Sequence, residues 1–298
     1  MCTARRTETS GTGDSVRAVP FELPAFDLVV ATLGRVEELE RFLGSLERQT
    51  HAAFRVLIVD QNEDDRVDTV VAKHASLDIV HLRSRRGLSR ARNVALAQLS
   101  AELLAFPDDD CEYPEDLLER VARRLAQSSN LDGLCGRAID GHGQSSPAWA
   151  QNSSLLTRDN LWNRAISFTI FLRSSLAGAV GEFDEQLGLG SGTRGASGEE
   201  TDYLVRALAT SARIEYDPDL VVLHEDKLRT AAARRAAAEP EGVSIGYILR
   251  KNRYPLSSVG LMFVRPVGGA LLALVRGDRT RAQFQVATLR GRLRGYFG

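Results

Sequence analysis

Cysteine is scarce in this chain: only Cys2, Cys111 and Cys135 occur among 298 residues. Their number is odd and their spacing matches no metal-binding motif, which argues against a disulfide framework or a zinc site. This usage is typical of a protein that resides in a reducing cytoplasm.

A long uninterrupted apolar run is also lacking. The most apolar segment, residues 256–275, contains Arg265 and Pro266 near its middle, so we expect no helix that spans a bilayer. The N-terminus has no apolar stretch after its two arginines, so we expect no secretory signal. Residues 1–24 are polar, and we predict that they form a disordered extension.

The net charge is close to zero, at −1, but the charge is unevenly distributed. Residues 243–298 carry +9, which leaves −10 on the remainder. Such a basic region indicates contact with an anionic surface, and a membrane, a polyanionic substrate or RNA would each fit. Its apolar segments interleaved with arginines favour an interfacial helix on anionic lipid, although a helical hairpin packed on the main domain would show the same pattern.

Short apolar segments alternate with amphipathic helices from Phe26 onwards. This alternation predicts an α/β fold with a mostly parallel sheet and helices on both faces. The predicted strands are 27–31, 55–59, 78–82, 102–106, 131–138, 166–172, 213–216 and 220–223. The predicted helices are 35–49, 67–74, 88–99, 117–126, 174–180, 199–210 and 231–238.

Three aspartates in a row, Asp108, Asp109 and Asp110, follow the predicted strand 102–106 and a proline. Carboxylates this close repel one another, and a divalent cation such as Mg²⁺ or Mn²⁺ removes that cost. A solvated acidic turn before the next helix is the alternative. Polar residues also follow two other strands, at 32–35 and 60–62, where open α/β sheets bind their ligands.

Four segments, taken in order and spacing, resemble those of glycosyltransferase family 2, whose members have the GT-A fold. They are Ala31-Thr-Leu-Gly-Arg35 with Asp60 after the next strand, Gly87-Leu-Ser-Arg-Ala-Arg-Asn93, Phe106-Pro-Asp-Asp-Asp-Cys111, and Gly181-Glu-Phe-Asp-Glu185 before Gly198-Glu-Glu-Thr-Asp-Tyr-Leu204. The likeness covers about Phe26 to Asp226.

The resemblance implies a nucleotide-diphosphate sugar as donor. Residues implied beside the donor are Thr32, Arg35, Asp60, Arg90, Arg92, Asp108 and Asp109. Of these, Asp60 would accept a hydrogen bond from the base, unless it only forms a turn. Arg90 and Arg92 would face phosphates or the sugar, unless one of them lies on a solvated helix face.

The resemblance also implies a cation site, because Asp108 and Asp110 match the D-x-D motif that holds Mg²⁺ or Mn²⁺. Asp109 occupies the variable middle position. Some relatives use a histidine near the position of His224 as a third ligand, although a lone histidine is more often structural. The cation would act as a Lewis acid on the departing diphosphate.

A general base is implied at Glu200, where the family usually has aspartate. It would take the proton from the acceptor hydroxyl and give inversion in one displacement. Because glutamate is longer than aspartate, Glu199 or Asp202 could be the base instead. The alternative is a first helical turn whose acids only complement the helix dipole.

The resemblance therefore implies a metal-dependent inverting glycosyltransferase that acts on a glycan or lipid-linked acceptor and, by analogy with the family alone, works in cell-surface polysaccharide biosynthesis. We expect a cytoplasmic protein peripherally associated with the inner face of the membrane, with an anionic membrane surface and no nucleic acid among its partners. The expected division is 1–24 as extension, 25–228 as GT-A catalytic domain and 229–298 as a basic amphipathic helical region.

Two other functions stay open at this point. A nucleotidyltransferase also joins a nucleotide-binding sheet to metal carboxylates, although it normally has a glycine-rich loop after the first strand. A non-catalytic module that binds sugar nucleotides or glycans is the second, because Glu200 departs from the family pattern.

Overall fold

The computed structural model describes residues 22–146, 148–193, 195, 197–224 and 231–298. Most of the predicted extension, 1–24, and the predicted domain boundary at 228 therefore lie outside the described residues.

Nine strands are present in the described part of the chain. They are β1 Phe26–Thr32, β2 Phe54–Asp60, β3 Ile79–Arg83, β4 Leu103–Ala105, β5 Cys111–Glu112, β6 Gly133–Ile139, β7 Ser154–Leu155, β8 Ile170–Arg173 and β9 Ile214–His224. They form one mixed sheet in the order β3-β2-β1-β4-β8-β6-β9-β5, with β7 paired to β9.

The helices between residues 22 and 224 are α1 Val36–Leu46, α2 Arg66–Lys73, α3 Leu88–Leu96, α4 Leu117–Gln127, α5 Ser174–Val180 and α6 Glu199–Ala209. After residue 230 come α7 Ala231–Lys251, α8 Leu256–Val275 and α9 Arg279–Phe297. Two apolar clusters, which contain alternate residues of the central strands, form the core between the sheet and its helices.

The mostly parallel half of the sheet positions the site. β3, β2, β1 and β4 run parallel, so their carboxyl ends share one edge. Antiparallel β8 then leads to β6 and β9, which are parallel to each other. The chain therefore has the predicted α/β architecture with a helical C-terminal region.

Local differences from the prediction have identifiable causes. The expected strands 213–216 and 220–223 are one strand, β9, because β6 shifts register between Cys135 and Arg137 and follows it past Pro218. Residues 167–169 of the expected strand 166–172 form a 3₁₀ turn. The two-residue strands β5 and β7 were not predicted, because they exist only through their pairing with β9.

Helix α7 is longer than the predicted helix 231–238. α7 continues through Pro240 to Lys251, and α8 continues through Pro266, so neither proline ends its helix. As a result α8 has 20 residues with a mean hydropathy of 1.8, which is long and apolar enough to cross a bilayer by length and composition alone. The expectation that no segment reaches that length is wrong.

Candidate active site

Strand register brings the three polar segments of the sequence to one edge of the sheet. Thr32 at the end of β1 lies opposite Asp60 at the end of β2. On its other side, Ala31 forms a bridge with Asp108, beyond the end of β4. The structure therefore gathers these residues as neighbours, although they are far apart in the sequence.

The middle aspartate of the triplet points into the protein. Asp109 is 4% exposed, and its carboxylate accepts hydrogen bonds from Thr32 Oγ1 at 2.7 Å and Arg35 Nη1 at 2.8 Å. Burial raises the pKa of Asp109 to about 6, although both donors favour the charged form. Asp109 thus fixes the loop after β1.

Asp110 and His224 face each other across the β5–β9 pair. His224 Nε2 lies 3.2 Å from Asp110 Oδ1, and the imidazole stacks on Phe168 with ring centroids 4.7 Å apart. Burial alone would lower the pKa of His224, but the nearby Asp110 outweighs it and raises this pKa. The second Asp110 oxygen lies 2.6 Å from Arg35 Nη1.

Asp108 lies on the other side of the same space. Its Oδ1 accepts a hydrogen bond from Ser167 at 3.1 Å and lies 3.3 Å from Arg92 Nη2. Burial raises the pKa of Asp108 against the opposing charge of Arg92. Ser167 was not predicted as a site residue.

Asp108, Asp110 and His224 each offer one ligand atom, and these atoms lie within 4.8 Å of one another. Two carboxylate oxygens suit Mg²⁺ or Mn²⁺, while an imidazole nitrogen suits a transition metal. The donor set therefore fits a divalent cation.

The two predicted arginines of α3 have different surroundings. Arg92 is buried, donates to Glu199 Oε1 at 2.9 Å, and packs on the rings of Phe106 and Phe183. It binds protein carboxylates rather than lining an open cleft. Arg90 has a side chain that is 44% exposed and pairs with Glu185 at 2.8 Å, as expected for a solvated helix face.

The first turn of α6 carries the three candidate bases, and their partners separate them. Glu199 is bound by Arg92. Asp202 is fully buried and accepts hydrogen bonds from Arg206, Lys251 and Asn252. Within the described part of the chain, no side chain hydrogen-bonds the half-buried carboxyl of Glu200.

Electrostatics also distinguish Glu200. Burial raises the pKa of Glu200 to about 8, with a further contribution from the negative charge of Glu199. Arg92 opposes this rise and Asp108 adds to it, so Glu200 lies within electrostatic range of Asp108.

Asp60 is fully buried beneath the ends of β2 and β3. Its Oδ1 accepts from the backbone and side chain of Asn62, at 2.8 and 2.7 Å, and its Oδ2 lies 3.3 Å from His81 and 3.2 Å from Arg83. The partners His81 and Arg83 were missed, although their spacing of two on a strand places them on one face.

A cleft of about 580 Å³ lies above Asp60. Its lining residues come from the loops that follow β1, β2 and β3 and from the first residue of α2: Leu33, Gln61, Asn62, Glu63, Asp64, Arg66, Ser84, Arg85 and Arg86. Asn62 thus joins the buried Asp60 to the cleft surface. Lys251 and Asn252 were also missed, because no local pattern relates them to α6.

Several known proteins are similar to this chain in sequence or in fold. Pre-mycofactocin glycosyltransferase of Mycobacterium tuberculosis is 27% identical over 290 residues, which cover 89% of this chain and 56% of that protein. The chain thus spans about half the length of this relative. Succinoglycan biosynthesis protein ExoM of Rhizobium meliloti is 24% identical over 218 residues, with 70% and 68% covered.

A solved structure has the same architecture. The mannosyltransferase PcManGT from Pyrobaculum calidifontis, in complex with GDP-Man and Mn²⁺, aligns with a TM-score of 0.62 at 16% identity, covering 93% of this chain and 88% of its own. The model of glycosyl transferase family 2 matches residues 27–176, half of the chain. On this match, together with the GT-A architecture, the chain belongs to glycosyl transferase family 2.

Proposed function

We propose that this protein is a metal-dependent inverting glycosyltransferase. It moves a sugar from a nucleotide-diphosphate donor to a glycan or lipid-linked acceptor. The observation that carries this proposal is the convergence of Asp108, Asp110 and His224 within 4.8 Å, joined through Arg92 to the helical turn that bears Glu200.

Glu200 is the general base of the proposed reaction. It takes the proton of the acceptor hydroxyl while the acceptor oxygen bonds to the anomeric carbon. The bond from that carbon to the diphosphate oxygen breaks, and its electron pair leaves with the nucleoside diphosphate. Attack opposite the leaving group inverts the anomeric centre. Glu199 and Asp202 are engaged by protein donors and so serve the structure of α6.

Asp108, Asp110 and His224 would hold the cation, for which Mn²⁺ is the better fit. When bound, the cation supplies a Lewis acid that offsets negative charge on the departing diphosphate. The bound Mn²⁺ named for the mannosyltransferase of similar fold supports this assignment.

The donor nucleotide occupies the cleft at the ends of β1, β2 and β3. Thr32 and Arg35 bind Asp109 and so fix the loop beneath the nucleotide. Asp60 contributes to nucleotide binding by orienting Asn62, because its own oxygens already have partners. Arg85 and Arg86 on the cleft wall are cations suited to a nucleotide's phosphates. Arg90 and Arg92 stabilise the protein segments beside the donor, Arg90 through Glu185 and Arg92 through Asp108 and Glu199.

We propose a role in cell-surface polysaccharide biosynthesis, at the cytoplasmic face of the membrane. The name of the succinoglycan biosynthesis relative supports the pathway class. The exposed apolar and basic C-terminal helices support an anionic membrane surface as partner. Nucleic acid is not a partner in this proposal.

Glu200→Gln tests the enzymatic proposal. Melting shifts with UDP-, GDP- and dTDP-sugars, with and without Mn²⁺, first select the donor. We then expect Glu200→Gln to retain the melting shift with that donor but to lose about 10²–10⁴-fold in transfer or donor hydrolysis, the usual contribution of a general base. Glu115→Gln, at an exposed acid, is the matched control.

The outcomes separate the rival functions. Donor binding without turnover in the wild type would indicate a sugar-nucleotide-binding module. Full activity of Glu200→Gln would show that another group is the base. Release of pyrophosphate from a nucleoside triphosphate and a sugar phosphate would indicate a nucleotidyltransferase.

A further inference from the structure

Residues at the end of α7 and just after it bind the helix that carries Glu200. Asp202, one half-turn after Glu200, is fully buried and accepts hydrogen bonds from Lys251 Nζ at 2.8 Å and Asn252 Nδ2 at 2.9 Å. Arg206 of α6 itself supplies a third donor at 2.9 Å. Two of the three donors therefore come from the last residue of α7 and the residue that follows it.

The same ammonium group binds a second carboxylate. Lys251 Nζ lies 2.7 Å from Asp184 Oδ2, which also accepts from Tyr247 at 2.9 Å. The adjacent Phe183 exchanges two hydrogen bonds with the Asn93 side chain of α3, at 2.7 and 3.0 Å. Lys251 thus ties together α6, α7 and a segment fixed to α3.

α7 also packs against the residues that lead into α6. Gly198, directly before Glu199, has φ of +84°, and a Cβ there would lie 2.8 Å from Ile248 of α7. The backbone N–H of Ser197 donates to Ser244 Oγ at 3.3 Å. The first turn of α6 is therefore held between α7 on one side and the Arg92–Glu199 pair on the other.

We propose that Lys251 is a positioning residue for the reaction: it holds the first turn of α6 so that the Glu200 carboxyl stays in register with the cation site. The C-terminal helices then belong to the catalytic unit rather than forming an appendage. The inference rests on the proposed function, because it assigns Lys251 a role through the base Glu200. A displacement of about 1 Å is enough to cost on the order of 100-fold in rate.

The test compares Lys251→Met, Lys251→Arg and a control in the same nucleotide-sugar hydrolysis assay. For Lys251→Met we expect kcat to fall about 10- to 100-fold, with the donor KM changed less than about twofold. The donor KM should change little because Lys251 does not line the donor cleft, which lies after β1, β2 and β3. Lys251→Arg keeps the cation and should recover most of kcat.

Arg124→Met removes a comparable ion pair, Arg124 to Glu215 at 2.8 Å, between α4 and β9. We expect this control to lower Tm without a selective change in kcat. A fall in Tm for Lys251→Met with the kcat of folded enzyme unchanged would overturn the inference.

The decisive readout is the double variant. If Lys251 acts through the base, Lys251→Met should change the residual rate of Glu200→Gln less than about twofold, because residues that act as one unit are non-additive. If Lys251→Met lowers the rate of Glu200→Gln by the same factor by which it lowers the rate of the wild type, the inference is overturned. Full activity of Glu200→Gln alone would instead overturn the base assignment.

Asn252→Ala keeps the test usable if Lys251→Met does not fold. It removes only a neutral donor to Asp202, and we expect a smaller fall in kcat, again with the donor KM unchanged. If Lys251→Met does not fold, an unchanged kcat in Asn252→Ala would overturn the inference.

Discussion

At the scale of single residues, the carboxyl of Glu200 lies in surroundings that disfavour its charge. Burial and the negative charges of Glu199 and Asp108 raise its pKa, while a hydrogen bond from its own backbone N–H and the charge of Arg92 oppose that rise. A divalent cation beside Asp108 would favour the charged form. The proton-accepting state of Glu200 is therefore linked to occupation of the cation site.

The raised pKa predicts how Glu200→Gln changes stability in metal-free protein. The folded state keeps a proton that the unfolded chain releases near pH 4.5, so wild-type stability falls as pH rises and the loss is complete above about pH 8. Glutamine does not titrate. The Tm of Glu200→Gln minus that of the wild type should increase across this window and then level off.

Thermal unfolding in the presence of a chelator, from pH 4.5 to 9, measures this difference. Glu115→Gln, the same substitution at an exposed side chain, is measured in parallel as the control. A constant difference for Glu200→Gln would mean that the Glu200 carboxyl titrates normally in the folded protein.

The sequence was sufficient to find the acids of α6 but not to rank them. Glu199, Glu200 and Asp202 share one helical turn, and local pattern treats them alike. Their partners decide their roles, and Arg92 is 107 positions from Glu199 while Lys251 is 49 from Asp202. Only tertiary packing reveals that Glu199 and Asp202 are bound by side chains of other elements, and that Glu200 accepts no side-chain hydrogen bond within the described residues.

At the scale of elements, glycines allow α7 and α9 to touch backbone to backbone. A Cβ at Gly246 would lie 2.2 Å from the Arg292 carbonyl oxygen, and one at Gly291 would lie 2.2 Å from the Glu239 carbonyl oxygen. Gly242 and Gly295 make similar approaches. Because α7 also contacts α6, this packing joins α9 to the active-site helix.

Gly246→Ala should therefore destabilise the protein, by about 1–3 kcal/mol, because the added methyl group forces the helices apart. Thermal or denaturant unfolding measures the effect. Gly268→Ala is the matched control within α8, since its Cβ would meet nothing within 4 Å. Replacing that helical glycine should stabilise the protein by about 0.5–1 kcal/mol. Equal effects of the two variants would contradict the close packing.

Elements with strong periodic patterns were predictable, and those that depend on partners were not. The strands β1 and β2 contain continuous apolar runs, at 28–31 and 56–59, and they lie where the sequence places them. β9 contains Pro218, which reads as an interruption, yet Arg137 Nε donates to the Pro218 carbonyl at 2.6 Å and β6 shifts register beside it. The neighbouring strand β6 thus accommodates Pro218, and the sequence around Pro218 itself gives no sign of it.

At the scale of the whole molecule, apolar exposure and positive charge coincide in the C-terminal hairpin formed by α8 and α9. Val264, Leu271 and Val275 of α8 are 64%, 60% and 85% exposed, and Phe297 of α9 is 72% exposed. Residues 243–298 carry +9. An anionic lipid surface would cover both features.

The hairpin is better suited to lie on the membrane than to cross it. Although α8 has sufficient length and hydropathy, an arginine at its centre, Arg265, would cost about 2.5–3.5 kcal/mol at the middle of a bilayer. Pro266, Ala270 and Ala273 are buried in the protein, so one face of α8 is already occupied. We therefore expect salt or alkaline carbonate to release the bound protein.

Flotation with vesicles measures this association. The full chain should float with vesicles that contain phosphatidylglycerol and remain at the bottom with pure phosphatidylcholine. Arg276, Arg279 and Arg281 are exposed around the turn between α8 and α9. Replacing all three with glutamine should cost about 3 kcal/mol, which corresponds to a loss of about 100-fold in binding, since each arginine near an anionic surface contributes about 1 kcal/mol.

A control with the same change in net charge separates local from global electrostatics. Replacing Arg48, Arg120 and Arg123, which lie outside the C-terminal helices, with glutamine should leave binding within about threefold, because charges beyond a Debye length of about 8 Å from the surface are screened at physiological salt. Equal losses in both triple variants would show that no particular face is involved. No flotation of the wild type at moderate salt would contradict membrane association, and bound protein that resists carbonate would instead indicate that α8 crosses the bilayer.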